Sequence, residues 1–510
     1  MISKVLSSAV FGLEAFLVEV EVDLSQGLPN FSIVGLPDAA VKESKDRVRA
    51  ALKNTGFNFP VKKITINLAP ADLKKEGSAF DLPIAIGILT SDSLIPLQVI
   101  KDYLIVGEVS LDGNIKPIRG ALSIALLARE AKFKGLILPI DNAREAAVVS
   151  GIDVFGVHTI PEVVEFLLGN QKITPLQIDP LSLFLNQEHE VDDFIDVKGQ
   201  ESAKRALEIS AAGSHNVLMV GPPGSGKTML AKRIPGILPH LHFEEALEST
   251  RIHSIAGLIL QSQPLLIHRP FRSPHHTISD AGLIGGGQVP KPGEVSLAHN
   301  GILFLDELPE FKRNVLEVLR QPLEEGQVII SRAAASLAYP ARFMLIAAMN
   351  PCQCGHLGDR LHPCICTPIQ IQRYRSRVSG PLLDRIDIHI EVPAVRFKEL
   401  SNDRAKESSK EIRSRVFAAR ELQKERYQKE GFFCNSQLKP RHFKKYCELD
   451  AASRQLIETA MEKLGLSARA YNRILKVSRT IADLDKQEKI QTHHVSEAIG
   501  YRNLDRRNRL

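Results

Sequence analysis

A glycine-rich stretch in the middle of the chain has the residue types and spacing needed to bind phosphate. Residues 221–228 read GPPGSGKT, between the apolar run 216–220 and the helix-forming MLAKRI. This is the G-x-x-x-x-G-K-[ST] pattern in its strand–loop–helix context. The backbone N–H groups of such a loop surround the β-phosphate, and the following helix adds its dipole. We therefore predict a nucleoside-triphosphate site. Its loop residues are Gly221, Pro222, Pro223, Gly224, Ser225, Gly226, Lys227 and Thr228.

Two side chains of this loop and two acidic residues further along supply the chemistry that nucleotide hydrolysis needs. We expect Lys227 to reach the β- and γ-phosphate oxygens and the Thr228 hydroxyl to ligate Mg²⁺. The apolar run NGILFLDEL (300–308) carries Asp306 and Glu307 near its end. We expect Asp306 to hold Mg²⁺ and Glu307 to polarise the attacking water as a general base. ATP and Mg²⁺ are therefore the predicted cofactors.

A third apolar run, FMLIAAMN at residues 343–350, ends in an amide side chain. It follows the phosphate loop and the acidic pair in chain order. This order favours a role for Asn350 in hydrogen-bonding the γ-phosphate or the lytic water. The alternative is an ordinary asparagine at a strand end, and we predict the functional role.

An arginine in the segment SGPLLDRIDIHIEV (379–392) has the chemistry of a finger supplied by a neighbouring subunit. Arginine suits a phosphoryl-transfer transition state because it is always charged and donates in a planar fork. The alternative for Arg385 is a surface ion pair with Asp384 or Asp387. Further arginines on the predicted helix 466–484 could close over the nucleotide, and composition does not choose among them. They are Arg469, Arg473 and Arg479.

Four of the six cysteines lie within 15 residues, with His356 and His362 between them. Four soft ligands this close could hold a structural Zn²⁺ ion, although their one-residue spacing is shorter than the usual two to four. The alternatives are a reduced loop without a ligand and a redox role. The cysteines are Cys352, Cys354, Cys364 and Cys366.

The first third of the chain alternates the patterns of strands and helices. Period-two alternation with β-branched residues marks strands, and apolar residues at helical spacing mark helices. We predict a separate α/β or α+β domain over residues 1–168. The predicted strands are 18–24, 62–68 and 136–139, and the predicted helices are 39–56 and 120–135.

The rest of the chain divides by composition. Residues 169–192 contain two prolines without sustained periodicity, which predicts a linker. Residues 193–395 alternate short apolar strands with helices, the pattern of a parallel sheet covered on both faces. Residues 396–500 become helical and highly charged, and residues 501–510 form a basic tail.

Bulk composition places the chain among ordinary globular proteins. Its 510 residues exceed one hydrophobic core, and 44% are hydrophobic and 24% charged. No apolar run approaches the ~18 residues that span a bilayer, and acidic residues interrupt the N-terminal apolar stretch. We therefore expect a cytoplasmic protein without a membrane partner. The net charge of +6 is modest, so any nucleic-acid contact must come from local basic surface.

The chain resembles AAA+ ATPases of the magnesium-chelatase-like group, specifically the bacterial YifB/ComM competence-protein family. The resemblance rests on GPPGSGKTMLAKRIPGILP, FRSPHHTISDAGLIGGGQVPKPGEVSLAHNGILFLDELPEF, LIAAMNPCQCG and SGPLLDRIDIHIEVP, with DVKGQESAKRALEIS upstream. It covers essentially the whole chain and implies a P-loop AAA+ core, a C-terminal helical lid and a homo-hexamer. The residues it assigns are Walker A at 221–228, Walker B at Asp306 and Glu307, sensor 1 at Asn350, the arginine finger at Arg385 and sensor 2 at Arg469.

The N-terminal domain resembles the proteolytic domain of Lon-type proteases, of the ribosomal protein S5 domain 2-like fold. The serine of those proteases lies in a KDGPSAG-like segment, and this chain reads KEGSAFD at residues 75–81. Ala79 takes the aligned position, Ser78 is one residue early, and Leu122 stands where the lysine is expected. A Ser–Lys dyad needs a base beside the hydroxyl. We therefore predict a binding or oligomerisation module and not a peptidase.

The family resemblance implies a hexameric helicase that promotes branch migration of DNA during natural transformation. Residues 324–343 predict a β-hairpin, and Arg332 within it could meet a phosphate backbone. The segment IHRPFRSPHHTIS (267–279) is a second basic loop, and packing between subunits is the alternative for both. Its basic residues are Arg269, Arg272, His275 and His276.

Three functional hypotheses follow from these motifs. The first is an ATP-driven hexameric motor that translocates on single-stranded or branched DNA in recombination or natural transformation. The second is a protein-remodelling or metal-chelatase motor without DNA translocation. The third is an ATP-dependent protease, which the substitutions at 75–81 and at Leu122 disfavour.

Overall fold

The structure is a computed structural model that divides the chain into two compact units. The first unit comprises residues 1–187 together with His242–Ile267, and the second comprises residues 188–241 and 268–510. The residues that the structure describes are 2–72, 74–185, 192–287, 290–332, 335–358, 362–394 and 407–502.

A mixed sheet forms the centre of the first unit. Its strand order is β3-β4-β2-β1-β5-β8-β9. The long strands β1 and β2 pair antiparallel, while β5, β8 and β9 are parallel. The strands are Ile2–Phe11 (β1), Glu14–Ser25 (β2), Asn30–Val34 (β3), Lys63–Ala69 (β4), Tyr103–Ile105 (β5), Glu108–Val109 (β6), Ile115–Lys116 (β7), Gly135–Pro139 (β8) and Asp153–Val157 (β9).

Alternating side chains of these strands face a core that the helices cover. In β2, every second residue from Val18 to Leu24 is buried, as the period-two pattern predicts. The predicted strands and helices of this domain are confirmed, with ends that shift by a few residues. Its helices are Ala39–Asn54, Asp81–Ser91, Leu97–Ile100, Ala121–Glu130, Ile140–Ala146, Ile160–Leu167 and Pro180–Leu185, and Phe243–Ala256 joins them from further along the chain.

The helix Phe243–Ala256 belongs to the first unit although the sequence places it inside the predicted ATPase core. Arg251 donates from Nη2 to the carbonyl oxygen of Leu13 at 2.9 Å, and the Ser254 hydroxyl hydrogen-bonds the buried Glu145. Burial raises the pKa of Glu145, and hydrogen bonds from Ser254, the N–H of Leu122 and Asn142 partly offset this effect. Residues 242–267 are thus an insertion into the second unit, which chain order alone does not reveal.

Part of the predicted linker packs as structure. Leu176 donates its N–H to the carbonyl oxygen of Val154 at 2.8 Å, and residues Leu176 and Ile178 pack against the core of the first unit. The helix Pro180–Leu185 follows. Isolated apolar residues between prolines are too few for a periodic signal, so the sequence reads as linker.

A parallel sheet forms the centre of the second unit, as predicted. Its order is β11-β14-β17-β10-β18, and every pairing in it is parallel. Strands β14 and β17 are buried at every residue, because helices cover both faces. The strands are Val217–Val220 (β10), Phe271–Arg272 (β11), Gly285–Gly286 (β12), Lys291–Pro292 (β13), Ile302–Leu305 (β14), Gln327–Arg332 (β15), Ala335–Pro340 (β16), Met344–Met349 (β17) and Ile388–Glu391 (β18).

Helices surround this sheet, and β15 and β16 form the predicted antiparallel hairpin beside it. The α-helices are Glu201–Gly213, Lys227–Arg233, Asp280–Ile284, Glu294–Leu297, Arg313–Glu317, Arg320–Glu325, Pro368–Arg375 and Gly380–Leu383. Short 3₁₀ helices are Phe194–Asp196, Ile234–Ile237 and Leu308–Glu310.

The C-terminal region is helical, as predicted, and shares a single hydrophobic cluster with the sheet. Ile412 and Val416 of one helix and Ile474 of another lie in the same core as Val217 and Met219 of β10. The sheet and the helical lid therefore form one compact unit. Its helices are Ser409–Tyr427, Asn435–Gln437 (3₁₀), Pro440–Tyr446, Ala451–Leu464, Ala468–Leu484 and Thr492–Gly500.

Two of the predicted domain boundaries concern residues that the structure does not describe. The predicted core–lid boundary at 395/396 and residues 503–510 of the basic tail lie outside the described residues, so these boundaries stay predictions. Within the described chain, no helix combines the length and apolar character needed to cross a bilayer.

Candidate nucleotide site

Three adjacent parallel strands end at the residues that the sequence predicts to handle nucleotide. Strand β10 runs into Gly221, β14 into Asp306, and β17 into Asn350. The sheet order β14-β17-β10 makes these strands neighbours. Because the carboxyl ends of parallel strands meet at one edge, the sheet gathers three segments spread over residues 221–350 into one site.

The phosphate loop has a backbone that requires glycine at defined positions. Gly224 and Gly226 have φ values of 72° and 88°, in the left-handed region that favours glycine. A Cβ at Gly221 would lie 2.1 Å from the carbonyl oxygen of Val392, so no side chain fits there. The loop then enters the helix Lys227–Arg233 directly. This is the strand–loop–helix arrangement that binds phosphate groups.

Lys227 points into the loop and meets the residue that ends β17. Its Nζ donates to the carbonyl oxygens of Gly221 and Pro222 at 2.7 and 2.8 Å, and it lies 3.3 Å from Oδ1 of Asn350. Burial lowers the pKa of Lys227, partly offset by Asp306 and Glu307. The structure thus brings Lys227 and Asn350 together. This proximity is required if both side chains are to bind the same phosphate group.

The residues predicted to hold Mg²⁺ are in direct contact. The Thr228 hydroxyl donates to Oδ2 of Asp306 at 2.6 Å. A hydroxyl and a carboxylate are hard oxygen donors of the kind that Mg²⁺ binds together with substrate phosphates. The donor set of this chain therefore fits the predicted ATP and Mg²⁺.

Glu307 has an unusual backbone conformation for a non-glycine residue. Its φ is 52°, and its N–H donates to Oδ1 of Asp306 at 2.9 Å. Its side chain is 59% exposed and lies 3.6 Å from Nδ1 of His276. Left-handed conformations of this kind cost free energy and concentrate at functional sites. The turn separates two adjacent carboxylates, one facing Thr228 and one facing His276.

Two residues join this site that sequence reasoning did not assign to it. Nε2 of Gln200 donates to the carbonyl oxygen of Ser225 at 2.5 Å and so supports the phosphate loop. His276, predicted as a DNA-contacting residue, lies beside Glu307 instead. The segment DVKGQES before a helix was the available signal for Gln200, whereas only the fold places His276 there.

The predicted arginines cluster around a different set of acidic residues. Arg385 is 6% exposed, pairs with Glu324, and donates from Nη1 to the carbonyl oxygen of Pro381 at 2.5 Å. The two acids considered as its partners contact the lid instead: Asp384 lies 3.4 Å from Arg469. The ion pair expected as the alternative exists, but with a residue distant in sequence.

The other two lid arginines are structural. Nε of Arg473 donates to the carbonyl oxygen of Asp384 at 2.5 Å, and its Nη1 pairs with the buried Asp387. Arg479 is buried and pairs with Asp483 at 3.0 Å. Arg469, by contrast, is 63% exposed. Of these three arginines Arg469 is therefore the most exposed, and its ion pair with Asp384 is the longest of the three.

Comparisons with known proteins agree with this geometry. Profiles described as "Magnesium chelatase, subunit ChlI", "Subunit ChlI of Mg-chelatase" and "Magnesium chelatase, subunit ChlI C-terminal" match residues 193–400, 20–142 and 406–502. Competence protein ComM of Haemophilus influenzae is 47% identical over 98% of this chain and 97% of its own length. Protein YifB of Escherichia coli is 45% identical over 99% of this chain and 98% of its own length. The chain belongs to the magnesium-chelatase-like AAA+ family, in its YifB/ComM group.

Membership of this AAA+ family indicates ATPase activity and the use of nucleotide with Mg²⁺. A more distant relative, the magnesium-chelatase 67 kDa subunit of Chlorobaculum parvum, is 29% identical over 31% of this chain and 23% of its own length. The family resemblance predicted from the motifs is confirmed. The roles of individual residues stay predictions.

The two arginines predicted to contact DNA have different outcomes in this AAA+ chain. Arg272 lies on β11 and forms a bidentate ion pair with Glu294, with distances of 2.6 and 2.7 Å. Neighbouring Arg269 donates to the carbonyl oxygen of Asn300 at 2.7 Å. These contacts favour packing over DNA contact at both positions. Arg332 ends β15 in the predicted hairpin, and its side chain lies outside the described residues.

In the first unit, Ser78 and Leu122, the residues compared with the dyad of Lon-type proteases, have other partners. The Ser78 hydroxyl hydrogen-bonds the Glu108 carboxylate, and Leu122 is fully buried in the core. Lys75 is buried too, and its Nζ contacts the carbonyl oxygen of Pro70. A carboxylate beside the hydroxyl and an apolar residue at the lysine position agree with the predicted binding or oligomerisation role, which stays a prediction.

The four clustered cysteines come together in space. Their sulfur atoms all lie within 4.8 Å of one another, and all four thiols are free of disulfide bonds. Hydrogen bonds from the backbone N–H groups of His356 and Ile365 lower the pKa of Cys354 to about 6. The cluster follows Asn350 directly in the chain.

Proposed function

We propose that this chain is an ATP-driven motor that works as a homo-hexamer on single-stranded or branched DNA, in recombination or natural transformation. The observation that carries the nucleotide part is the convergence of Lys227, Asn350, Thr228 and Asp306 at one sheet edge. Such a site converts nucleotide binding into chemistry through positioned charges and donors. We also propose that it acts in the cytoplasm.

Each residue of the site has a task in this proposal. Lys227 binds the β- and γ-phosphate oxygens, and Thr228 and Asp306 would hold Mg²⁺, which would supply charge neutralisation for the phosphates. Glu307 takes a proton from the attacking water, and Asn350 orients that water against the γ-phosphate. Gln200 keeps the loop in shape through its contact with Ser225.

The finger arginine comes from an adjoining subunit. Among the described residues, the side chain of Arg385 contacts Glu324 and the carbonyl oxygen of Pro381 and not the phosphate loop of its own chain. A guanidinium that serves a neighbour's nucleotide requires a head-to-tail contact, and repeated head-to-tail contacts close into rings. We infer that Glu324 holds Arg385 until the neighbour's triphosphate competes for the guanidinium. Exposed Arg469 closes the lid over the nucleotide.

The DNA part of the proposal rests on likeness and on one element. The 47% identity to competence protein ComM extends over nearly the whole of both chains. In chain order, the hairpin β15–β16 follows the acidic pair and precedes the strand that ends at Asn350, and its first strand ends at Arg332. An element placed there can couple the state of the nucleotide site to a bound strand. Positive charge at its tip suits a phosphate backbone.

A second candidate is a protein-remodelling or metal-chelatase motor without DNA translocation. It is favoured by the match of residues 193–400 to the magnesium chelatase profile. It predicts stimulation of ATP turnover by a protein partner and not by DNA.

The decisive experiment is branch migration of a labelled four-way junction by the purified chain with ATP, at stated salt. We expect migration by the wild type and none by Lys227→Ala. Arg332→Ala is expected to weaken DNA-stimulated turnover, with Arg313→Ala, an exposed arginine of the helix Arg313–Glu317, as the matched control. Equal migration by wild type and Lys227→Ala, or turnover that branched DNA leaves unchanged, contradicts the DNA motor.

A further inference from the structure

The four clustered sulfur atoms are spaced as the ligands of one metal ion. Cys352 Sγ lies 3.4 Å from Cys354 Sγ and 3.7 Å from Cys364 Sγ, and the latter two sulfurs are 3.6 Å apart. Cys366 completes a group whose sulfurs all lie within 4.8 Å. A tetrahedral zinc site with Zn–S bonds of about 2.3 Å separates its sulfurs by about 3.8 Å. A disulfide would need about 2.0 Å.

Backbone N–H groups from both sides of the cluster point at one of its sulfur atoms. The backbone N–H groups of His356 and Ile365 hydrogen-bond Cys354. Gly355, with φ of 86°, turns the chain directly after the first cysteine pair and donates its N–H to the carbonyl oxygen of Cys352 at 3.0 Å. Backbone donors aimed at sulfur stabilise negative charge, as ligation of a cation by thiolates requires.

The spacing also discriminates between metals. An iron–sulfur cluster places several irons and inorganic sulfide between its cysteines, so their sulfurs lie farther apart than around a single ion. Tetrahedral sets of four sulfurs indicate zinc or single iron, and zinc is the redox-inert ion used where a site is structural. Four protein ligands fill the tetrahedron and leave no position open for water or substrate.

The cluster lies where it can control the nucleotide site of the same unit. Asn350 precedes it by two residues. A Cβ at Gly355 would lie 2.5 Å from Cδ of Pro223, so the segment 352–355, which we call the cysteine loop, packs directly on the phosphate loop. Arg375 donates from Nε to the carbonyl oxygen of Pro351 at 3.3 Å and holds the start of the segment. A metal that fixes this segment fixes both neighbours.

We propose that Cys352, Cys354, Cys364 and Cys366 bind one Zn²⁺ ion as four thiolates, with release of the thiol protons. The ion locks the cysteine loop against Pro223 and thereby keeps Asn350 in its place beside Lys227. The cysteines are positioning residues for ATP hydrolysis, and the ion takes no part in the chemistry. The binding claim stands apart from the DNA proposal, whereas the positioning claim rests on the proposed ATPase.

Metal analysis of the purified full-length chain tests the binding claim. We expect one zinc ion per chain. Protein produced with Co²⁺ in place of Zn²⁺ should show thiolate-to-cobalt charge-transfer bands and the visible absorption bands of tetrahedral Co²⁺. The double variant Cys364→Ser/Cys366→Ser should hold less than a tenth of the zinc, while Cys434→Ser, a buried cysteine of the lid, keeps it all. The assignment is overturned if the wild-type protein takes up neither metal or carries iron instead. It is also overturned if the double variant keeps its full zinc content.

Kinetics of wild-type protein before and after zinc removal test the positioning claim without any substitution. We expect kcat for ATP to fall about 10- to 100-fold, because a small misplacement of a positioned group has effects of this size. KM should change much less, and returning zinc should restore kcat. An unchanged kcat, or equal loss in kcat and nucleotide affinity, overturns it. An ATPase that is inactive even when loaded with zinc would instead count against the proposed function.

Discussion

At the scale of single residues, the acidic pair after β14 divides two tasks between neighbouring carboxylates. Asp306 accepts a hydrogen bond from Thr228 at 2.6 Å, whereas the left-handed backbone of Glu307 directs the second carboxylate towards His276. In an extended strand, adjacent side chains point to opposite faces, whereas in the proposed mechanism both carboxylates serve one nucleotide. The strained turn reconciles these requirements.

We predict that Glu307→Gln separates ATP binding from hydrolysis. The amide keeps the size of the side chain but cannot accept a proton, so turnover should fall by about 10²- to 10⁴-fold. Binding of a fluorescent ATP analogue should persist, since Lys227 and Thr228 are unchanged. Glu310→Gln, which removes a surface carboxylate paired with Arg377, serves as the control and should retain near wild-type turnover.

Mixed rings give the sharpest test of the shared site. Arg385→Ala should lower turnover by about 10³-fold or more, as the loss of an arginine finger does. Lys227→Ala should be inactive in its own pocket. When the two inactive proteins are mixed, pockets with intact Lys227 can receive an intact Arg385 from the other variant, so part of the activity should return. Undiminished turnover by Arg385→Ala, or no recovery on mixing, argues against a finger in trans.

At the scale of elements, a buried polar network joins the start of β18 to the lid. Asp387 accepts from the N–H of Asn216 at 3.1 Å and pairs with Arg473 of the helix Ala468–Leu484. Burial by itself would raise the pKa of Asp387, but the charge of Arg473 and the contact with His215 hold it well below its ordinary range. Asn216 in turn donates to the carbonyl oxygen of Arg385 at 3.0 Å. The network thereby connects the lid to the backbone of Arg385.

We predict that this network is needed for the stability of the second unit. Asp387→Asn leaves the Arg473 guanidinium without its carboxylate in a buried position, which should cost about 3 to 5 kcal/mol in the free energy of unfolding. The matched change Asp384→Asn, at a partly exposed pair, should cost under about 1 kcal/mol. Urea unfolding of the variants measures both, and equal costs would show that burial does not govern these pairs.

At the scale of the whole molecule, the two units differ in which buried titratable groups have shifted pKa values. In the first unit, burial raises the pKa of the carboxyl groups of Asp81 and Glu145. In the second unit, burial lowers the pKa of several histidines and of Lys227. The histidines are His215, His240, His442 and His494. The units should therefore respond to acid differently.

We predict that mild acid destabilises the second unit before the first. A histidine with a lowered pKa binds its proton in the unfolded chain below about pH 6.5 but not yet in the folded one. The stability that it contributes is thus complete above that pH and is lost as the pH falls towards its folded pKa. Hydrogen exchange of peptides from each unit at about pH 8 and about pH 5.5, corrected for intrinsic rates, measures the difference. Constant or rising protection of β18 at the lower pH contradicts it.

The local part of this protein could be predicted from its sequence. The phosphate loop, the acidic pair and Asn350 each end a short apolar strand, and both the strands and their ends are where the pattern places them. Such features depend on residues that are close together in the chain. They are the backbone conformations of glycine, the periodicity of strands and the hydrogen bonds between successive turns of a helix. The family resemblance followed from the same local motifs.

Only the tertiary structure decided which distant residues meet. The pairing of Arg385 with Glu324, of Arg272 with Glu294 and of His276 with Glu307 joins residues whose local sequence gives no sign of a partner. The transfer of His242–Ile267 to the first unit likewise cannot be read from chain order. Periodicity records which face of an element is buried, but not what buries it, because the partner of a buried or charged side chain is chosen by packing of the whole chain.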